Sequence, residues 1–132
     1  MSGEPDTGER ISEAEHAVMS ALWDRSPLTA NEVAEAVGAR EWTLATVKTL
    51  LSRLVAKQAV TTEPDGKRFL YSPALARDAY LGGESRRMVD RLFGGSAAGL
   101  FAHLAESEAL SPADLDQIEA LLREIRKEDL GN

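Results

Sequence analysis

The sequence predicts a mainly α protein with one small β-hairpin, on three observations. Apolar residues recur at helical spacing in three short segments that end before Lys57. Two β-rich segments then flank Pro64-Asp65-Gly66-Lys67, and helical periodicity returns after Ser72-Pro73 and runs to the end of the chain.

The first helix opens at Ser12. Glu15 stands three positions on, the spacing of a capping box, in which both side chains satisfy backbone donors that a helix start leaves open. Ala14, Ala17, Val18, Ala21 and Leu22 form its apolar face, with Met19 and Trp23 beside it, and Ser26-Pro27 ends it. Thr29 and Glu32 repeat the capping-box spacing, and Val33, Ala36 and Val37 sustain a second helix for barely two turns before Gly38.

The third helix starts at Trp42-Thr43 with Thr43 as its cap. Val47, Leu50, Leu51 and Leu54 point inward, while Ala45, Thr46, Lys48, Thr49, Ser52 and Arg53 lie wholly or partly on the other faces. That outer side is small, hydroxylic and basic.

Val60-Thr61-Thr62-Glu63 and Arg68-Phe69-Leu70-Tyr71 are the strands of the hairpin. Asp65-Gly66 suits the positive φ of a tight turn, and a two-residue turn there sets Glu63 opposite Arg68. Trp23, Phe69 and Tyr71 read as core aromatics, and Trp42 as a packing anchor at the helix junction.

Beyond the hairpin, Tyr80, Leu81, Met88, Val89, Leu92 and Phe93 mark one helical segment and Leu100, Phe101 and Leu104 a second. Ser111-Pro112-Ala113-Asp114 opens a third, which carries Leu115, Ile118, Leu121, Leu122 and Ile125. Gly82-Gly83 and Gly94-Gly95 predict a break or kink at each pair.

The expected organisation is a disordered leader over 1–10, a domain over 11–73 and a helical region over 74–132. At 132 residues the chain suits one compact domain or two small lobes. No apolar run approaches the ~18 residues of a membrane span, and the acidic first ten residues do not form a secretory signal, so a cytoplasmic location without membrane insertion is expected.

The chain has no cysteine and two histidines, His16 and His103, that stand apart. Disulfides, thiolate chemistry and most zinc or triad arrangements are thereby excluded, and no catalytic residue, metal or cofactor is expected.

The formal charge of −7 argues at first against a nucleic-acid partner, but its distribution is uneven. Residues 1–39 carry −6, residues 40–68 carry +3 and residues 69–132 carry −4. The one positive stretch holds Arg40, Lys48, Arg53, Lys57, Lys67 and Arg68, where an anionic partner is expected to approach.

Three helices followed by a hairpin is the order of a winged helix-turn-helix, whose third helix enters the major groove while the wing reaches the flanking backbone. The basic residues belong to those two elements and their flanks. On this reading Arg53 meets a phosphate from the later turns of the third helix, and Lys57 repeats that role more weakly. Lys67 and Arg68 clamp backbone at the wing tip, unless Arg68 is taken by Glu63.

The run from Ile11-Ser12 to Trp23, the third-helix pattern Thr46-Val47-x-Thr49-Leu50-x-x-Arg53-Leu54, the wing ending in Phe69-Leu70-Tyr71, and Leu110-Ser111-Pro112-Ala113-Asp114 resemble the penicillinase-repressor (BlaI/MecI/CopY) family. The resemblance implies a homodimeric repressor of a palindromic DNA operator, with an N-terminal winged helix and a C-terminal helical dimerisation region. Thr43, Ala45, Thr46, Lys48 and Thr49 match the face that meets DNA in the family. Thr43 also has a second reading as a cap alone.

The apolar positions Leu81, Met88, Leu92, Phe93, Leu100, Phe101, Leu104, Leu115, Ile118, Leu122 and Ile125 exceed what short helices beside a small wing can bury internally, so a shared interface between two copies is expected there. In the family an upstream membrane sensor's signal leads to proteolysis in this region. The aligned position is near His103-Leu104, where this sequence lacks the Asn-Phe of the best-known members, and the cysteine cluster of the copper-responsive branch is absent.

Two other functions fit the same fold. A protein-binding winged-helix module suits the acidic balance and predicts no DNA binding at low salt. A ligand-sensing regulator predicts a metabolite that stabilises the fold.

Overall fold

Reciprocal caps start the first two helices. Ser12 Oγ accepts the Glu15 N–H at 3.1 Å and Glu15 Oε1 accepts the Ser12 N–H at 2.8 Å, opening α1 (Glu13–Asp24). Thr29 and Glu32 do the same for α2 (Ala30–Ala36), at 3.2 and 2.8 Å. This is a computed structural model, which describes residues 10–131, with the backbone alone at 130 and 131. The leader expected over 1–10 lies, apart from Arg10, outside the described residues.

A 3-10 turn (Gly38–Arg40) follows α2, and Glu41, at φ 60°, redirects the chain into α3 (Leu44–Ala56). All four residues expected on the inner face of α3, Val47, Leu50, Leu51 and Leu54, are buried. They pack with Val18, Met19 and Leu22 of α1 and Val33 of α2. Burying each leucine contributes about 1.5–3 kcal/mol, which makes this cluster the main support for α3.

The wing consists of β1 (Val60–Asp65) and β2 (Arg68–Pro73), paired antiparallel. Its register corrects the sequence reading: Asp65 faces Arg68, and Glu63 faces Leu70. The turn is Gly66-Lys67, one residue later than Asp65-Gly66, and of its two central residues only Gly66 has a positive φ, +66°. Glycine at the first central position is the requirement of a type II′ turn, whose twist suits a hairpin. Pro64 lies within β1, where an exposed edge tolerates its missing N–H.

Two contacts tie the wing to the helices. Leu28 and Tyr71 exchange backbone hydrogen bonds at 3.0 and 2.8 Å, so the loop before α2 acts as a short third strand. Trp23 Nε1 donates to the carbonyl of Leu75 at 2.8 Å, fixing the chain as it leaves β2.

The next helix, α4 (Arg77–Phe93), runs without interruption through Gly82-Gly83, contrary to the expected break. Glycine weakens a helix by about 1 kcal/mol relative to alanine but does not forbid it. The described residues form two compact units, one ending at Glu84 and one starting at Ser85, and α4 contributes to both. In the first, the Tyr80 ring stacks on His16 at 5.4 Å and meets Trp23 at 5.6 Å.

In the second unit the break at Gly94-Gly95 is present, with φ of 57° and 87°. Ser96 caps α5 (Ala97–Glu106), its Oγ accepting the Gly99 N–H at 2.9 Å. A Ser111–Asp114 capping box, both bonds 3.0 Å, opens α6 (Pro112–Gly131).

No described residue from Ser85 onward is buried. Met88, Phe93, Leu100, Leu104 and Ile118 are half-buried, whereas Leu81, Leu92, Phe101, Leu115, Leu122 and Ile125 are exposed. This chain alone therefore leaves every one of these apolar side chains at least partly in water.

Candidate nucleic-acid interface

With its apolar stripe buried, α3 presents Ala45, Thr46, Lys48, Thr49, Ser52 and Arg53 to solvent. Thr43 sits at its start as the cap: its Oγ1 accepts the Thr46 N–H at 3.1 Å and donates to Thr46 Oγ1, also at 3.1 Å. The Thr43 hydroxyl is thus engaged within the helix end, while the Thr46 hydroxyl keeps its own proton to donate outward.

Lys48 of α3 and Lys67 of the wing line one groove of about 570 Å³, together with Thr29, Ala30, Asn31 and Glu32 at the start of α2 and Arg68, Phe69 and Tyr71 of β2. A smaller hollow of about 220 Å³ lies between Ser52 and Val55 of α3 and Thr62, Phe69 and Tyr71 of the wing. α3 and the wing therefore flank two hollows that share Phe69 and Tyr71. Arg53 lies on the later part of α3, one turn beyond Thr49, and is exposed.

The basic stretch divides in two. Arg40 bonds Glu13, Nη1 to Oε1 at 3.1 Å, and its guanidinium lies 5.1 Å over the Trp42 ring. Lys57 Nζ bonds Glu15 Oε1 at 2.7 Å, and Arg68 bonds Asp65 at 3.1 Å. Among the described residues no carboxylate lies within ion-pair distance of Lys48, Arg53 or Lys67.

This corrects two readings. Lys57 serves the contact between α1 and α3, so it is withdrawn from the cationic face. Arg68 pairs with Asp65 and not with Glu63, because the turn begins one residue later. An exposed pair of that kind contributes little and exchanges readily for another anion.

The carboxylates follow the same geometry. Burial pushes the Glu15 carboxyl up, but hydrogen bonds from Lys57 and Ser12, with the Lys57 charge, outweigh it and hold Glu15 below the ordinary glutamate value. The hydrogen bond and charge of Arg40 hold Glu13 low, and Glu13 in turn raises Arg40. On the groove wall, the Thr29 backbone N–H keeps Glu32 low against a smaller opposing effect of burial. Glu32 is therefore a negative charge on the groove wall, with Arg25 and Arg68 as its nearby cations.

The sequence reading missed Phe69 and Asn31. Phe69 was expected in the core but is 52% exposed. It borders two open hollows beside Lys48, Ser52 and Val55 of α3, which leave about half of the ring uncovered. Asn31 lines the groove from a helix that the sequence marked only as short. Trp23, Trp42 and Tyr71 do pack against the core, each partly buried.

Among the described residues no group of three or more His, Cys, Asp or Glu could hold a metal ion. No described helix is long and apolar enough to cross a membrane.

Comparison with known proteins gives a consistent result. A family profile described as penicillinase repressor matches residues 11–124. The penicillinase repressor of Bacillus licheniformis is 28% identical over 116 residues, covering 87% of this chain and 91% of that protein. The methicillin resistance regulatory protein MecI of Mammaliicoccus sciuri is 26% identical over 113 residues, 85% of this chain and 92% of the other. Among solved structures, the DNA-binding domain of the repressor BlaI aligns with a TM-score of 0.50 and 32% identity, over 61% of this chain and 94% of that one.

Proposed function

The chain belongs to the penicillinase repressor family, and from that premise we propose that it is a DNA-binding transcriptional repressor, acting in the cytoplasm as a homodimer on a palindromic operator. The observation that carries this reading is the groove shared by Lys48 and Lys67, whose ammonium groups no described carboxylate approaches to ion-pair distance.

The third helix supplies base reading. Ala45 and the methyl groups of Thr46 and Thr49 suit a thymine methyl, the Thr46 hydroxyl donates to a base acceptor or a phosphate, and Lys48 reaches a guanine or a phosphate. Arg53, Lys67 and Arg68 hold the sugar–phosphate backbone on either side. Thr43 uses its hydroxyl to cap the helix start, and its exposed methyl group is left for a DNA contact. Negative charge on the rest of the chain disfavours indiscriminate phosphate contacts and leaves one face for docking.

The half-exposed apolar side chains of α4, α5 and α6 support a second copy of the chain as their cover. A two-fold dimer places two α3 helices in major grooves about 34 Å apart, or one turn further. An upstream sensor or protease acting near His103-Leu104 meets these residues within α5, where Leu104 O accepts from Ala109 N at 3.0 Å. Cleavage there requires the end of that helix to open.

In vitro selection from random duplexes tests the proposal. The expected outcome is enrichment of an inverted repeat with a fixed spacing. Recovery of no sequence at low salt would contradict DNA binding, and recovery of single half-sites alone would contradict the dimer.

A further inference from the structure

We infer that Phe69 is an apolar contact of the operator complex, packing against deoxyribose between the phosphates held by Lys67 and those reached from α3; this rests on the DNA-binding reading above. Side chains alternate across the hairpin, and Phe69 shares its face with Tyr71 and with the cross-strand residues Pro64, Thr62 and Val60. That face is the one turned to the helices: Val60 is buried and Tyr71 packs on the core. Phe69, on the same face, borders open hollows beside α3 and is left 52% exposed.

The aromatic ring is therefore aimed along α3. It lines both hollows, the one holding Lys48 and Lys67 and the one beside Ser52. An isolated exposed phenylalanine needs no special account, but this one shares a concave surface with Lys48 and Lys67, which no described carboxylate approaches to ion-pair distance. Glu32 on the same wall has Arg25 and Arg68 nearby, so the net charge there favours an anionic partner. That partner must be anionic at its rim and apolar within, and the sugar face of a DNA strand meets both conditions. Lysines hold the phosphates at either side, and the ring covers the deoxyribose carbons between them.

The contact adds affinity without releasing counterions, and this separates it from every cationic contact on the surface. It also reads no base, so its effect is the same on any sequence.

The test measures the affinity of the full chain, between low and moderate salt, for a duplex selected by the wild-type protein and for a scrambled duplex of equal length. Phe69→Ala is expected to weaken both complexes by roughly 10-fold, the apolar area at stake being about half an aromatic side chain, with an unchanged log–log salt slope. Phe69→Leu, which keeps most of that area, should stay within about 3-fold of wild type. Phe69→Thr, which preserves strand propensity, supplies a second truncation whose melting temperature verifies folding.

Wild-type affinity by Phe69→Ala and Phe69→Thr would overturn the contact while leaving the DNA-binding reading intact. A loss confined to the selected duplex would replace the sugar by a base and overturn the assignment, as would a reduced salt slope. Failure of the wild-type chain to bind either duplex would overturn the underlying reading instead.

Discussion

The ammonium of Lys57 lies 2.7 Å from Oε1 of the buried Glu15 carboxylate and 2.7 Å from the carbonyl oxygen of Arg10. The end of α3 is thereby fastened to the start of α1. Lys57→Ala leaves that carboxylate without its counter-charge. Chemical denaturation should show a loss of about 3 kcal/mol, and Glu15→Gln combined with Lys57→Met should recover most of it. The salt slope of DNA binding by the folded variant should equal that of wild type.

Glu15 also gives the fold a defined acid sensitivity. Its carboxyl titrates lower in the folded chain than the ordinary value of 4.5. Its contribution is complete above the unfolded value and is lost as the pH falls through the folded one. Wild type should therefore lose stability below about pH 4.5 more steeply than Glu15→Gln, read as the difference between their denaturation midpoints across that range. Parallel acid limbs would contradict the assignment.

Lys48 and Lys67 line one groove but are expected to act differently. Lys67→Ala should weaken all duplexes alike and reduce the salt slope by about 0.9, the value of one phosphate contact. Lys48→Ala should change the ranking of half-site variants. Competition binding over a panel of single-base variants separates the two, and identical profiles would remove the division of labour.

Gly66 opens the wing turn at φ +66° with open space where a Cβ would stand. Gly66→Ala therefore introduces backbone strain without a clash, at a cost of about 1 kcal/mol. Hydrogen exchange should show that cost in the hairpin amides, with DNA affinity reduced through the displaced Lys67 and Phe69.

On α6, Leu115, Ile118, Leu122 and Ile125 recur three or four residues apart and remain at least partly exposed. Leu122→Lys with Ile125→Lys should leave the winged helix folded and shift the chain to monomer in sedimentation at micromolar concentration. A persisting dimer would place the interface elsewhere.

The legible parts of this fold are those written in short sequence intervals. Ser12 with Glu15, Thr29 with Glu32, and Ser111 with Asp114 each announce a helix start three residues apart, and each forms the bonds its spacing implies. The inner face of α3 is equally local. The wing register is not, since Asp65-Gly66 and Gly66-Lys67 both make two-residue turns, and the residue that ties Tyr71 down, Leu28, lies far from the hairpin in sequence. The same holds for charge: Lys57 finds Glu15 and Arg40 finds Glu13 across separations of 42 and 27 residues, so counting basic residues overstated the cationic face. Phe69 escaped because burial of a strand face depends on how closely the helix beside it packs, and here open hollows separate it from Lys48 and Ser52 of α3.

Amide chemical-shift mapping of the full chain, titrated with a duplex obtained by selection, tests the central claim most directly. The account predicts shifts concentrated at residues 43–53 of the third helix and 66–71 of the wing, with smaller changes near Asn31. Shifts centred on Arg40, Lys57 or the exposed face of α6, with the third helix and wing unmoved, would contradict it.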